Sequence, residues 1–324
     1  MALSFFSKKN RICNLIINDY SIRMIELKAI EPLDIQQWGE RLLPAGVIRD
    51  GRILDKGALQ SILEDCIVDW KLHKKEIRFT VPDSVVIIRK VAIPPEIHDD
   101  EIKGHLFLEL GSSIHLPFEN PVFDTVTLAE SKEGKEILIF ASPEEVVKDY
   151  ADVLEDAKLR PSAADISPLA MYRLYRKTHP AIKDEKLMLV QFDMTKVNIS
   201  IFDKQFPLFM HHLPLENADW GWEGQMDKEG KSQFTYSGEI EDLQFSFEDI
   251  YKEISKLMDF YRYSVTKGKE EVTRILLSGD HPMLNSIHEE MERRFSVPLT
   301  GMGEFGQIPR THSLALGLAL KEVD

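Results

Sequence analysis

The chain has 324 residues, 43% of them hydrophobic, which is enough to bury a large core and long enough for two domains or for one domain with an insertion. Its 54 acidic against 40 basic residues give a net charge of -14, which excludes a general nucleic-acid binder, because neutralising phosphates needs clustered Lys and Arg. No run approaches the roughly 18 apolar residues that a membrane span needs, and Cys13 and Cys66, far apart in separate apolar segments, read as buried, reduced thiols of a cytoplasmic protein.

The first segment, MALSFFSKKNR, is too short for a signal peptide. Phe5 and Phe6 beside Lys8, Lys9 and Arg11 would give marginal membrane contact at best, and the simpler reading is a frayed terminus. From Ile12 to Glu40 the chain reads as strand, tight turn at Asn18, Asp19 and Tyr20, strand, and a third strand. Lys56 to Leu72 spaces Leu59, Ile62, Leu63, Cys66, Ile67 and Trp70 as an amphipathic helix, and Ile77 to Val81 is a strand ended by Pro82. A compact unit follows: strand Val85 to Ile93, helix Asp99 to Leu110, and strands Val122 to Leu128 and Ile137 to Ser142. Its last helix starts at Pro143, has acids in its first turn, and carries Val146, Val147, Tyr150, Val153 and Leu154 on one face.

Helix formers return at Ser167 to Tyr175, and a second hairpin begins at Leu187. Asn217 to Glu239, polar and Gly-containing, reads as an exposed loop. Helix Phe247 to Tyr263, strand Thr273 to Ser278, helix Pro282 to Phe295 and helix Ser313 to Lys321 complete the order. The hairpin occurs twice, each time followed by helices, so the chain carries an internal duplication around an inserted α+β module.

Three segments carry a resemblance to a known family. RKVAIPPEIHDDEIKGHLFLELGSSIHLPFENPVFD (Arg89 to Asp124), PSAADISPLAMYRLY (Pro161 to Tyr175) and LALGLAL (Leu314 to Leu320) are similar to the inserted module, the return segment and the closing helix of the type IV pilus assembly protein PilM family, relatives of FtsA in the actin and Hsp70 superfamily. The resemblance implies an α/β class: a two-lobed actin-like (ribonuclease H-like) ATPase fold with an inserted small α+β module. It implies a first domain of residues 1–82 with 160–185 and 308–324, a module of 83–159, and a second domain of 186–307.

In that superfamily the first hairpin carries an Asp, then any residue, then Gly, followed by hydroxyl residues and a Lys or Arg. The Asp organises a hydrated metal ion, and the Gly lets backbone amides reach phosphate oxygens. Aligned on Ser21 and Arg23, this chain has Ile16 at the Asp position and Asn18 at the Gly position. In the second hairpin, aligned on Asn198, Gln191 stands for the Asp and Asp193 for the Gly. A carboxylate there repels phosphate, by about 1 kcal/mol at 4 Å in water and about 4 at an effective dielectric of 20, unless Asp193, on the same face as Gln191, serves as a displaced metal carboxylate. The third motif keeps Leu277, Ser278 and Gly279 but has Asp280 and His281 where glycines follow, so Gly279 reads as a turn residue. Glu253 and Lys256, three apart on one helix face, read as a surface ion pair, although the family places nucleotide-contacting residues on this helix.

These ten residues, Asn18, Ser21, Arg23, Gln191, Asp193, Asn198, Glu253, Lys256, Ser278 and Gly279, make up a vestigial nucleotide cleft. No catalytic residue is assigned: Ser278 lacks a GxSxG context. No metal site is assigned either, since His211 and His212 are neighbours on a strand and face opposite ways. The resemblance implies a cytoplasmic, non-catalytic adaptor of type IV pilus, competence or secretion machinery, held at the inner face of the membrane by the tail of a PilN-like protein. Further platform proteins and a homo-oligomer are open as partners. The tail would lie in a groove drawn from Ile87, Arg89, Val91, Ile102, Leu106, Leu116 and Phe118. No cofactor is expected, and ATP with magnesium would enter only if the altered cleft still binds it. An ATP-driven switch and an FtsA-like filament former are the rival readings. The filament former lacks support because no long basic amphipathic tail follows Leu320.

Overall fold

The structure, a computed structural model, describes residues 12–215, 221–306 and 308–322. The N-terminal group Phe5, Phe6, Lys8, Lys9 and Arg11 lies outside the described residues.

The first lobe is a five-stranded sheet. Strands β1 (Cys13–Ile17), β2 (Ser21–Ala29) and β3 (Asp34–Leu42) form an antiparallel meander. A short pair, β4 (Ile48–Arg49) and β5 (Arg52–Ile53), leads into α1 (Lys56–Asp69) and β6 (Glu76–Thr80), which lies parallel to β1. The Asp55 carboxylate accepts from the Ala58 amide at 2.9 Å and so caps α1, whose Leu59, Leu63, Cys66 and Ile67 are buried. Cys13 and Cys66 are free and buried thiols, and burial pushes both above the ordinary thiol range.

The chain then leaves the lobe for β7 (Ile87–Ile93), α2 (Ile102–Glu109), β8 (Pro121–Ser131) and β9 (Gly134–Pro143), a three-stranded sheet in the order β7-β9-β8. Helix α3 (Glu144–Asp156) follows. The sequence reading placed this helix in the module, but Val146, Tyr150, Val153 and Leu154 pack with Leu59, Leu63 and Ile67 in the first lobe's core. Its amphipathic face finds a deeper partner there than the small module offers, and Tyr150 Oη donates to the Gly51 carbonyl at 3.0 Å. Strand β10 (Arg160–Asp165), parallel to β6, completes the first sheet in the order β10-β6-β1-β2-β3.

The second lobe repeats this topology. After α4 (Ser167–Thr178), strands β11 (Lys186–Phe192), β12 (Lys196–Asp203) and β13 (Phe206–Pro214) form the antiparallel meander. Residues read from the sequence as an exposed loop instead form a hairpin, β14 (Trp222–Met226) with β15 (Ser232–Tyr236). Helix α5 (Ile240–Asp259) runs on into a π-helical turn, Phe260–Val265. Then come β16 (Arg274–Gly279), α6 (Leu284–Arg294), β17 (Leu299–Gly301) and α7 (Ser313–Ala319). The sheet order β13-β12-β11-β16-β17 mirrors the first, with β16 parallel to β11 and β17 parallel to β16.

Helices α4 and α7 pack between the two sheets. One cluster joins Ile16 and Ile25 of the first lobe, Ala170, Met171 and Leu174 of α4, Leu187, Leu189 and Leu276 of the second lobe, and Ala315, Leu316 and Leu318 of α7. Each buried Leu or Ile there contributes on the order of 2 kcal/mol, so this layer fixes how the lobes face each other. Gly317 sets the spacing, since a Cβ there would come within 2.2 Å of the Ala170 carbonyl oxygen.

Candidate functional site

The two hairpin turns face each other across a cleft. Gly279 and Asp280 close its floor, and the start of α7 bounds one wall. In the first turn the Asn18 Oδ1 accepts from the Ser21 amide at 2.7 Å, the Tyr20 amide at 3.2 Å and the Ser21 Oγ at 3.1 Å. Asn18 therefore folds the turn onto itself, and Ser21, fully buried, is used up in doing so. Asp19 accepts from the Asp50 and Gly51 amides at 2.8 and 3.0 Å, which ties the turn to the β4-β5 pair.

Arg23 crosses the cleft. Its Nε donates to Glu40 Oε1 at 2.5 Å and its Nη1 pairs with Asp280 of the second lobe, and the three side chains are only 4%, 0% and 5% exposed. Burial opposes the guanidinium charge, but Asp280 and Glu40 together raise it above its ordinary value. Glu40 is likewise opposed by burial yet held below the carboxylate range by Arg23. Tyr20 Oη donates to the other Asp280 oxygen at 2.6 Å. Glu40 also accepts from the Ser232 Oγ at 2.8 Å and its amide at 3.1 Å. The β14-β15 hairpin thus reaches from the second lobe onto β3, where Phe234 meets Tyr20 edge-on at 6.0 Å and Trp222 stands edge-on to His281 at 5.6 Å.

A second chain of hydrogen bonds runs beside the first. Asp83, just after β6, accepts from Ser167 Oγ at 2.5 Å and from Asn198 Nδ2 at 2.7 Å, and Asn198 Oδ1 meets His212 Nδ1 at 2.7 Å. Burial raises Asp83 and lowers His212 to about 4.

The sequence-assigned residues therefore divide. Asn18, Arg23, Gln191, Asp193 and Gly279 line one cavity of about 50 Å³. Ser21 and Asn198 are bound into its walls, and Ser278 is buried with its Oγ unpartnered. Gly279 has a φ of 116°, and a Cβ there would lie 1.9 Å from the Phe192 carbonyl oxygen, so the turn alone accounts for it. Glu253 and Lys256 pair at 2.5 Å on α5 and do not line this cavity. Asp193 is half-buried, and burial with neighbouring Asp280 pushes its carboxyl well above the ordinary range. Among the described residues no group of three or more His, Cys, Asp or Glu could hold a metal ion. Small-molecule pockets span about 300–1,000 Å³, several times the volume of this cavity. Sequence reasoning missed Lys196, Asp83 and Ser232. The Asp193-Met-Thr-Lys196 turn was the available signal for Lys196, whereas Asp83 and Ser232 had none.

The groove residues divide too. Ile102 and Leu106 are buried in the module core with Ile93, Ile137 and Ile139 and cannot touch a partner. They form the inward face of α2, while Phe107 and Leu108 are 66% and 79% exposed. Arg89 is exposed and pairs with the His115 carbonyl. Val91 and Leu116 pack, partly buried, against the same core. Ile87 and Phe118 do line a groove of about 650 Å³ between the first lobe and the module, with Arg52, Ser84, Val85 and Pro117.

Residues 15–215 match the family described as type IV pilus assembly protein PilM. The structure is similar to that of a chain in a PilM-PilN type IV pilus biogenesis complex, with a TM-score of 0.78 at 18% identity, covering 96% of this chain and 98% of that one. It is also similar to the ethanolamine utilization protein EutJ of Carboxydothermus hydrogenoformans, with a TM-score of 0.51 at 11% identity over 95% of this chain and 88% of that one. No curated protein matches the sequence. The duplicated sheets and these likenesses make the fold the two-lobed actin-like one.

Proposed function

The chain belongs to the type IV pilus assembly protein PilM family, and from that footing we propose that it is a non-catalytic adaptor that binds the short cytoplasmic tail of a PilN-like membrane protein. The observation that carries this reading is the contrast between the 50 Å³ cleft, crossed by the Arg23 ion pairs, and the 650 Å³ groove beside the module. The groove offers what a short peptide needs: apolar surface from Val85, Ile87, Pro117 and Phe118, with Arg52 and Lys148 against Glu144 and Glu145 at its polar rim. The protein would work at the cytoplasmic face of the inner membrane, held there by its partner; no helix among the described residues is long and apolar enough to cross a membrane.

Competence or secretion machinery of the same type, further platform proteins and self-association belong to the same proposal. Its test is titration of the protein with a synthetic peptide of the cytoplasmic tail of a PilN-like membrane protein. Saturable binding that is lost in an Ile87→Arg variant supports the proposal, and no binding by a protein whose circular dichroism shows it folded would sink it. An ATP-driven switch would instead have to break the Arg23–Asp280 pair before the cleft could admit its ligand.

A further inference from the structure

The resemblance implies a hydrated metal ion between the first two hairpins, and the positions it assigns to the metal-directing acids, Ile16 and Gln191, line the same small cavity as Lys196, Asp83, Asp193 and Asp280. The side chains present do not fit a divalent metal. Ile16 offers no ligand, and Gln191 is neutral, with its Oε1 buried and unpartnered. An ammonium group already occupies the neighbourhood. Lys196 opens β12, directly opposite Asp193 in the turn that the Asp193 amide closes onto the Lys196 carbonyl at 2.9 Å.

Lys196 is only 8% exposed. A buried lysine without countercharge would shed its proton. Burial does lower this one's affinity for a proton, but Asp19, Asp193, Asp83 and Asp280 together outweigh it and raise the pKa above the ordinary lysine value. Those four carboxylates come from both lobes: Asp19 from the β1-β2 turn, Asp83 from the end of β6, Asp193 from the β11-β12 turn and Asp280 from the end of β16. Arg23 already serves Asp280. Among the described residues Asp83 and Asp193 make no ion pair, and both carboxyls are raised by burial.

We infer that the Lys196 ammonium is a cation built into the chain that takes the electrostatic place of the metal ion, so that lobe closure neither needs nor admits a divalent cation. A single fixed charge replaces a diffusible one. It lies among acids contributed by both lobes and holds the hairpin turns face to face at any magnesium concentration. Lys196 is in this sense a positioning residue of the cleft. The inference concerns the cleft alone and stands or falls independently of which peptide the groove takes.

The test compares thermal unfolding of the full chain and of Lys196→Met, Lys196→Arg and Lys196→Met/Asp193→Asn, each with and without millimolar magnesium or manganese at fixed ionic strength. The wild type and Lys196→Arg are expected to melt at one temperature regardless of divalent cation. Lys196→Met is expected to melt several degrees lower and to regain part of the loss with either metal, because magnesium binds through one or two carboxylates while keeping several waters. Removing one carboxylate as well is expected to restore stability without metal and to erase the metal response. If Lys196→Met does not fold alone, recovery of folded protein in the double variant gives the same answer. A metal-dependent rise in the wild type, or a double variant less stable than Lys196→Met, would overturn the inference.

Discussion

The cleft and the groove lie one residue apart in sequence, at Asp83 and Ser84, yet they are opposite kinds of surface. In the cleft, polar side chains from both lobes pair with one another: Arg23 with Glu40 and Asp280, Tyr20 with Asp280, and Asp83 with Ser167 and Asn198. In the groove, Ile87 and Pro117, with Val85 and Phe118 partly packed against the neighbouring cores, present apolar area to solvent. A hairpin pair that grips phosphate must leave amides and charges free to meet a ligand. Here those groups are spent within the turn itself and on the other lobe.

The comparison breaks most visibly if the cleft's ion pairs are removed. Arg23→Met leaves Asp280 and Glu40 buried without their guanidinium, and urea unfolding is expected to show a loss of about 3–5 kcal/mol. Gly279→Ala forces a side chain into left-handed backbone against the Phe192 carbonyl, with an expected loss of about 3 kcal/mol in the same assay.

Acid tests the cleft in a third way. His281 is buried and lowered by burial to about 4, with Asp280 opposing. Its unfolded value lies near 6.5, so the unfolded chain takes up the proton first. The stability tied to neutral His281 is complete above pH 6.5 and is lost as pH falls through 4. His281→Phe, which keeps a ring between Trp222 and Phe247, is expected to flatten the stability curve in that window by on the order of 2–3 kcal/mol, read as the wild-type minus variant difference. An unchanged slope would remove His281 from the account.

Two smaller effects sharpen the contrast. Phe118→Arg in the groove, where the ring also packs partly against the module core, is expected to leave the protein folded with a small loss of melting temperature yet weaken tail-peptide binding about tenfold, which corresponds to about 1.4 kcal/mol. Ser232→Ala removes the hairpin's hydroxyl from Glu40 and is expected to cost about 1 kcal/mol with peptide affinity unchanged. A groove variant that unfolds the protein, or a Ser232 variant that abolishes peptide binding, would show that the two regions are not separate.

Much of the fold was legible because its signals are local. The β-branched runs of β1, β2, β11 and β12 and the three- and four-residue spacing of α1 and α5 report on burial at each position. The β14-β15 hairpin escaped because Trp222, Phe234 and Tyr236 are spread among polar and glycine residues and are only partly buried, Trp222 and Tyr236 against the second lobe's core and Phe234 against Tyr20. The alternation of Phe234 and Tyr236 beyond Asp227 and Gly230 was the one available hint. Ile102 and Leu106 show the reverse case: their four-residue spacing marks an inward helix face, and that physics outweighs the family-based expectation of a groove. In the site, Ile16 and Gln191 were readable as departures from the family's pattern. The Arg23–Asp280 pair across the cleft was not, since the two residues are 257 positions apart and only the folded lobes bring them together.

The central claim is that the cleft is closed on its own side chains while the groove is open. Calorimetric titration of the purified chain with ATP and magnesium tests it most directly. The account expects no saturable heat up to millimolar nucleotide, and saturable binding in the micromolar range would contradict it.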